Sequence, residues 1–486
     1  MKTGIKNLFT RRGGASCAAW VVLALLPVTT GLRAHATTMF PIATNANLVE
    51  LCVGGAFDGT NYLVVLESGP NLSAQLVSSN FTLIGSQITV GNNPVFPPGG
   101  TVGFGRTNYL VVWSDSSISS GVDMFGQFIA QSGGKVRSAF PLLQSVGTHG
   151  IQAIQCMAFD GTNFLVGWLD ENNSTIYIQF VTQTGSLLGF EIATTPGPSI
   201  PAKEARMALD GTNYLGVVQL KTSSSPEQWS TYGRFFSRNG SLGTSFLISQ
   251  TTSASENPCS IAFDGTNYLV VWNRDIGPGY PSVPIWNLYG RLVSRAGTFP
   301  GNELVLVTNQ ALLPSLAFDG SHYLLGWSYN FDTTNSNKTL RYRFLDRTAS
   351  LIGSEFTLFA PQGTNSPLFG GLVYGSNRFL AVASLGVVAV DSSGGLTGIL
   401  SGDSYGAFIP ASTAPPQFGS GASYGNKQFT LSLAGTPGIN YAIQMATNLV
   451  ASSWTSLVTN SPTNGTFTFT DTGATNRSRF YRAVKQ

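Results

Sequence analysis

The sequence predicts an all-β chain: a seven-bladed β-propeller followed by a small C-terminal β-sandwich. Three observations carry this. A motif of the form AFDGTNYLVVW returns seven times. Each return belongs to a unit of roughly fifty residues that divides into four short strand-like runs. Charged residues make up only 10% of the 486, turn formers are abundant, and amphipathic helical periods are absent.

The N-terminus reads as an export signal. Lys2, Lys6, Arg11 and Arg12 form a basic region, CAAWVVLALLPV (Cys17–Val28) an apolar run, and Ala34-His35-Ala36 a small-residue cleavage site. The apolar run is shorter than the ~20 residues a membrane span needs. No second such run follows, so residues 1–36 are expected to be removed and the remainder to work outside the cytoplasm, with no transmembrane segment. Arg11-Arg12 leaves Sec and twin-arginine export both open. The first 36 residues hold five of the 26 basic residues and no acid, so the mature chain carries 21 basic against 23 acidic residues. Nothing in that balance points to nucleic acid.

The repeat occupies residues 37–412. Its copies begin at Ala56, Gly103, Ala158, Ala208, Ala262 and Ala317, with a degenerate copy, VYGSNRFLAVA, at Val373. The corner positions 58, 105, 160, 210, 264, 319 and 375 are 47 to 56 residues apart. Within a unit, the first strand runs into the FDG corner and the second is TNYLVVW. A third resembles LYGRLVS (Leu288–Ser294), and a fourth follows a glycine turn, as in ELVLV (Glu303–Val307). The second strand is apolar on both faces, which suits a sheet packed between two others. Fourth strands are expected near Gln87–Val90, Phe140–Leu143, Phe190–Ala193, Phe246–Ile248, Glu303–Leu306 and Glu355–Leu358. The seventh unit lacks one, and FPIA (Phe40–Ala43) ahead of the first unit fits the pattern, so the N-terminal strand is expected to close the ring.

After the linker-like PASTAPP, residues 413–486 contain short alternating strands: QFTLSLAG, NYAIQMAT, WTSLVT, GTFTFTDT and RFYRAVK. The AFDGTNYLVVW…YGR units resemble those of secreted bacterial seven-bladed propellers. The tail resembles C-terminal β-sandwich modules of large secreted bacterial proteins, loosely fibronectin type III-like. Neither resemblance brings a catalytic motif.

Candidate chemistry is sparse. Each DGTN corner supplies one carboxylate where calcium wants six to eight oxygens, so the corners read as hairpin turns held by Asp and Gly. The S-x-D-x-G-x-T-W pattern of sialidase propellers is missing. His149 and His322 remain after signal removal, and His322 replaces a corner Asn. Neither a metal cluster nor a Ser-His-Asp arrangement is visible, and no cofactor is expected. Cys52, Cys156 and Cys259 lie in apolar contexts and read as buried thiols rather than a disulfide framework. Trp113, Trp168, Trp272 and Trp327 share one register and suit packing between blades.

Asp115, Asp170, Glu171, Asp275 and Asp332 follow second strands and are the carboxylates a hydrolase would draw on. The tight corners and the third-to-fourth turns share one face of the disc. The other face carries varied loops, among them KTSSSPEQWSTY, NRDIGPGYPSVPIWN and SYNFDTTNSNKT, and variable loops on a constant scaffold are where binding resides. Candidate binding residues there are Trp229, Tyr280, Trp286, Tyr329 and Phe331, with Asp170 and Asp275. The functional expectation is a secreted, non-catalytic binding protein. Its partner would be a polysaccharide or cell-surface protein, held on the loop face or in the central channel. The alternatives are a carbohydrate-active hydrolase or lyase using loop carboxylates, and a structural spacer of the cell envelope.

Overall fold

The computed structural model describes residues 39–45, 48–92, 94, 100–115, 123–143, 152–195, 200–224, 227–250, 255–277, 285–329, 338–360, 366–390, 396–411, 417–418, 423–425, 428–434, 440–447, 454–460, 466–474 and 479–485. They fall into two compact units that divide between residues 412 and 413. Among them there is no helix. The first unit holds seven four-stranded antiparallel sheets, and it is a β-propeller.

In each sheet the strands A to D run from inner to outer edge. The A strands are Glu50–Phe57, Gly100–Phe104, Gln152–Phe159, Ala202–Leu209, Glu256–Phe263, Ala311–Phe318 and Ser366–Gly375, for blades 1 to 7 in turn. Each A strand touches the A strand of the next blade, and the seventh touches the first, so the ring is closed. Blade 7 takes only three strands from its own stretch of chain. Its D strand is Met39–Ala43, paired antiparallel with Leu396–Pro410.

The B strands explain why the blades stay together. In blade 5, Tyr268 to Trp272 are wholly buried. Tyr268, Val270 and Trp272 pack with Leu215 and Val217 of blade 4. Leu269 and Val271, on the opposite face, pack with Tyr323, Leu325 and Trp327 of blade 6. Trp113, Trp168 and Trp327 are buried in the same register, and Trp168 stacks on Tyr177 as Trp272 stacks on Tyr289. Cys52 and Cys156 are free, buried thiols, and burial pushes the Cys52 thiol up to about 11.

At each FDG corner the aspartate holds the turn. Asp264 Oδ1 accepts from the amides of Thr266 and Asn267, both at 2.7 Å, and Gly265 sits at φ +94°. Asp58, Asp160, Asp210 and Asp319 repeat these bonds, with His322 donating its amide in the last. The corner also clasps its neighbour. Tyr109 Oη donates to Asn61 O of the preceding blade at 3.0 Å, and Tyr268 Oη to Asn213 O at 3.2 Å. The carboxylates of Asp58 and Asp210 stand beside these same two hydroxyls. Tyr214 and Tyr323 likewise face Asp160 and Asp264, although these two phenols make no aligned hydrogen bond. Where the corner has Gly105 instead of Asp, the next blade has Phe164, without a hydroxyl. The third-to-fourth turns on the same face lock the corners from outside. Arg295 donates to Gly265 O, Arg347 to Gly320 O and Gln131 to Asp58 O.

One segment departs from the sequence reading. Lys221–Ser224 and Glu227–Tyr232 are not loop but strand, the end of strand B Asn213–Ser224 and the start of strand C Glu227–Ser237 of blade 4. The segment's polar composition hides cross-strand pairs, Lys221 with Trp229 and Ser224 with Glu227, which the Lys221–Glu227 ion pair at 3.4 Å reinforces.

The second unit has two sheets. Gln428–Ala434 pairs with Thr466–Asp471, and Tyr441–Ala446 lies between Thr455–Asn460 and Phe480–Lys485. Phe429 and Leu431 from one sheet and Ile443 from the other share a core, with Phe429 stacked on Tyr481 at 4.8 Å.

The clasp makes two outcomes measurable. Tyr268→Phe keeps the ring but removes its hydrogen bond to Asn213, and should lower unfolding free energy by about 1 kcal/mol in denaturant titration. Burial, and secondly the adjacent aspartate, raises the phenol pKa of Tyr109, Tyr214, Tyr268 and Tyr323 above its ordinary value. The folded state therefore holds these protons more tightly than the unfolded one. The stabilisation is complete below about pH 10 and is lost as pH rises beyond it, so the melting temperature should fall on the alkaline side from that point.

Candidate functional site

With the corner face tied down by repeated bonds, the face at the other end of the strands carries the chain's irregular chemistry. Its residues belong to the starts of A strands and the ends of B strands. Asp170 is buried, and its carboxylate accepts from the Asn172 amide at 3.0 Å and Asn173 Nδ2 at 3.1 Å. Asp275 Oδ1 accepts from the amides of Gly277 at 2.8 Å and Ile285 at 3.0 Å. Both carboxylates are therefore engaged in shaping turns. Tyr329, in blade 6, lies under the Arg341 guanidinium at 3.5 Å. Tyr280, Phe331, Asp332 and His149 lie outside the described residues, as does residue 1–36 chemistry.

Three of the candidates converge. Trp229 forms a parallel bridge with Ser255, whose carbonyl accepts from the Asp275 amide, and Asp275 stands opposite Trp286 across the blade 5 hairpin. Trp286 is half-buried, whereas Trp229 is only 9% exposed. Lys203 lies 4.5 Å over the Trp229 ring and Lys221 5.8 Å, while Trp229 Nε1 donates to Glu227 Oε1 at 2.6 Å. The indole is thus a packed platform between cations rather than an open stacking surface.

Beneath it sits a buried ionic network that sequence reading missed. Glu256, with no exposed surface, accepts from Thr231 N and Oγ1, from Trp272 Nε1 and from Arg274 Nε and Nη2. Arg274 also grips Glu303 with both terminal nitrogens and lies 4.1 Å over the Tyr289 ring. Glu303 Oε2 accepts from the Gln250 amide.

The blades provide an internal comparison. Glu256 stands opposite Arg274 at the first A–B pair. The same register holds Glu50 and Ser68 in blade 1, Ala202 and Leu220 in blade 4, and Ala311 and Tyr329 in blade 6. Blade 3 has Gln152 opposite Asp170, so an acid occurs at this register elsewhere, but among these pairs an acid faces a cation only in blade 5.

Strand A of blade 4 is the other exception. It reads AKEARMAL and places Lys203, Glu204 and Arg206 inside an A strand, whereas the other A strands carry charge at their first residue alone, as Glu50 and Glu256. Burial pushes the Lys203 ammonium down to about 8, against the pull of Glu204, Glu227 and Glu256. Burial likewise raises the Glu204 carboxyl above the usual range, opposed by Arg206 and Lys203. The signal that could have found these residues is the repeat itself, aligned one strand earlier than its conspicuous corner.

The neighbouring cavity, between blades 3 and 4, is about 30 Å³ and is lined by Cys156, Met207, Phe236, Arg206 and Arg234 among others. It has room for about two waters and none for a ligand. Among the described residues no group of three or more His, Cys, Asp or Glu is placed to hold a metal, and no helix is long and apolar enough to cross a membrane.

No family model matches the chain, and no curated relative matches it in sequence. Solved structures do resemble it. A protein of unknown function from Dyadobacter fermentans is 13% identical with a TM-score of 0.46, over 77% of this chain and 98% of that one. Puromycin hydrolase is 12% identical with a TM-score of 0.46, over 80% of this chain and 58% of its own. The Dos1 propeller is 10% identical with a TM-score of 0.42, over 76% and 94%. At these identities the likeness concerns fold and does not extend to activity.

Two measurements probe the site. Arg274→Met leaves Glu256 and Glu303 buried without their counter-ion, and should cost about 3–5 kcal/mol of stability in denaturant unfolding. In competitive amine labelling followed by mass spectrometry, Lys203 should titrate with a midpoint of about 8, well below the ~10.4 of an ordinary lysine.

Proposed function

We propose that the mature chain is an exported binding protein. Its ligand, a glycan or a surface protein, is taken up on the loop face and channel mouth at blades 4 and 5. One observation carries this reading. In a chain with 10% charged residues, Lys203, Glu204, Arg206, Lys221, Glu227, Glu256 and Arg274 gather in two adjacent blades, beside Trp229 and Trp286. At the corresponding A–B register blade 1 has Glu50 opposite Ser68, blade 3 Gln152 opposite Asp170 and blade 6 Ala311 opposite Tyr329, so among these pairs only blade 5 sets an acid against a cation.

Binding is favoured over hydrolysis because the loop carboxylates best placed for hydrolysis, Asp170 and Asp275, are engaged by turn amides. A glycosidase needs two carboxyls facing one substrate.

The test is retention of the mature chain on a glycan array and in pull-downs from envelope fractions, with hydrolysis assayed alongside. Trp286→Ala should weaken retention about tenfold or more, as loss of an aromatic anchor does. Undiminished retention would move the site off this face, and product release from a retained glycan would replace binding with catalysis. N-terminal sequencing of the exported protein should begin at residue 37.

A further inference from the structure

We propose that strand A of blade 4 is a sugar-gripping wall at the mouth of the ring, where Glu204 and Arg206 together hold the hydroxyls of a neutral glycan. This rests on the binding reading above and narrows it to one strand and one ligand class.

The A strands have a free inner edge, and its exposed amides need partners. Side chains of the preceding blade supply them. Gln155 Oε1 accepts from Ala205 N at 3.3 Å, Ser260 Oγ from Leu316 N at 3.0 Å and Ser315 Oγ from Leu372 N at 3.0 Å. Ser384 Oγ accepts from Cys52 N at 2.7 Å. Polar side chains at the inner rim are therefore used to stitch blade to blade. The acids that open A strands are also engaged, Glu50 with Ser68 and Asn45 and Glu256 with Arg274.

Glu204 is different. Unlike Glu50 and Glu256, it receives no hydrogen bond. No ion pair joins it to Arg206, although Arg206 influences it electrostatically. Arg206 itself commits only Nη1, to Ala205 O at 2.8 Å and Gln155 O at 3.4 Å, so Nε and Nη2 keep their donors. Both side chains remain partly open to solvent. The two residues are two apart on a strand and stand opposite Gln219 and Val217, so they project from the same face, about 6.6 Å apart along the strand. An acceptor and a donor at that spacing, kept from pairing with each other, suit a ring that offers hydroxyls on two sides.

Charge argues for a neutral ligand. Each of the acids Glu204, Glu227, Glu256 and Glu303 already has a cation acting on it: Lys203 and Arg206 act on Glu204, and Lys203 also on Glu227 and Glu256. Lys221 is joined to Glu227, and Arg274 to Glu256 and Glu303. A carboxylate or ammonium on the ligand would enter a balanced cluster uncompensated, whereas hydroxyls need no counter-ion.

The experiment compares cellohexaose, maltohexaose and mannohexaose with oligogalacturonate and oligoalginate, arrayed against the mature chain. Any retained probe is then titrated calorimetrically against Glu204→Gln, Arg206→Met and Trp286→Ala, with thermal melting confirming that each variant folds. Retention of a neutral probe, weakened about tenfold or more by both Glu204→Gln and Arg206→Met, is the expected result. Three results overturn the proposal: retention of acidic probes alone, retention of no glycan, or neutral-probe affinity unchanged in both inner-strand variants. If Trp286→Ala abolishes retention in that last case, the binding reading survives and only the assignment to this strand falls. Capture of a protein partner with no glycan retained has the same meaning.

Discussion

The ring depends on one constraint: its B strands have no solvent face. Tyr268, Val270 and Trp272 are buried against blade 4 while Leu269 and Val271 are buried against blade 6. A blade standing alone would expose one of these sets whichever way it turned. Burial is complete only when every sheet has two neighbours, and with seven sheets that condition requires closure. The chain meets it by giving the strand Met39–Ala43, which precedes blade 1, to its last blade. The two ends of the repeat are thus bound into one sheet, and an open edge is removed where the ring would otherwise part.

The corners show how a repeat can be coupled to its neighbour rather than merely copied. Asp264 holds its own turn with Oδ1 and stands beside Tyr323 of the next blade. The dependence is visible inside the chain, because the corner that has Gly105 is followed by Phe164. The match is not universal. Asp319 is followed by Phe379, and Tyr62 donates instead to the carbonyl of Gly375, at 2.6 Å. These two exceptions flank blade 7, whose fourth strand comes from elsewhere in the chain.

The fold was legible because its determinants are local and repeated: an Asx turn, a two-faced strand and a glycine turn recur at nearly constant spacing. The closing strand was legible too, since FPIA repeats the apolar pattern of a D strand. The site was not. Glu256, Arg274 and Glu303 meet through tertiary pairing at separations of 18 and 29 residues, and among the described residues the ionic set occurs once. Trp229 looked like a free loop aromatic because Lys221–Tyr232 is polar. Yet Thr231 and Trp229 belong to a strand, and the cations over the indole come from two other strands. Periodicity reports what the blades share, and so it is silent on what one blade does alone.

That silence is itself informative about where function lies. A buried Glu–Arg–Glu set carries a desolvation cost that packed apolar residues avoid. This chain contains the apolar solution in the same register, Ala202 opposite Leu220, one blade away. The scaffold therefore does not require ions at the mouth of blade 5, nor the Lys203, Glu204 and Arg206 side chains on the inner strand of blade 4. Stability alone would favour converting these positions to what the other blades carry. On the binding proposed above, their concentration on the face left free by the corner clasps is where a partner would meet the ring.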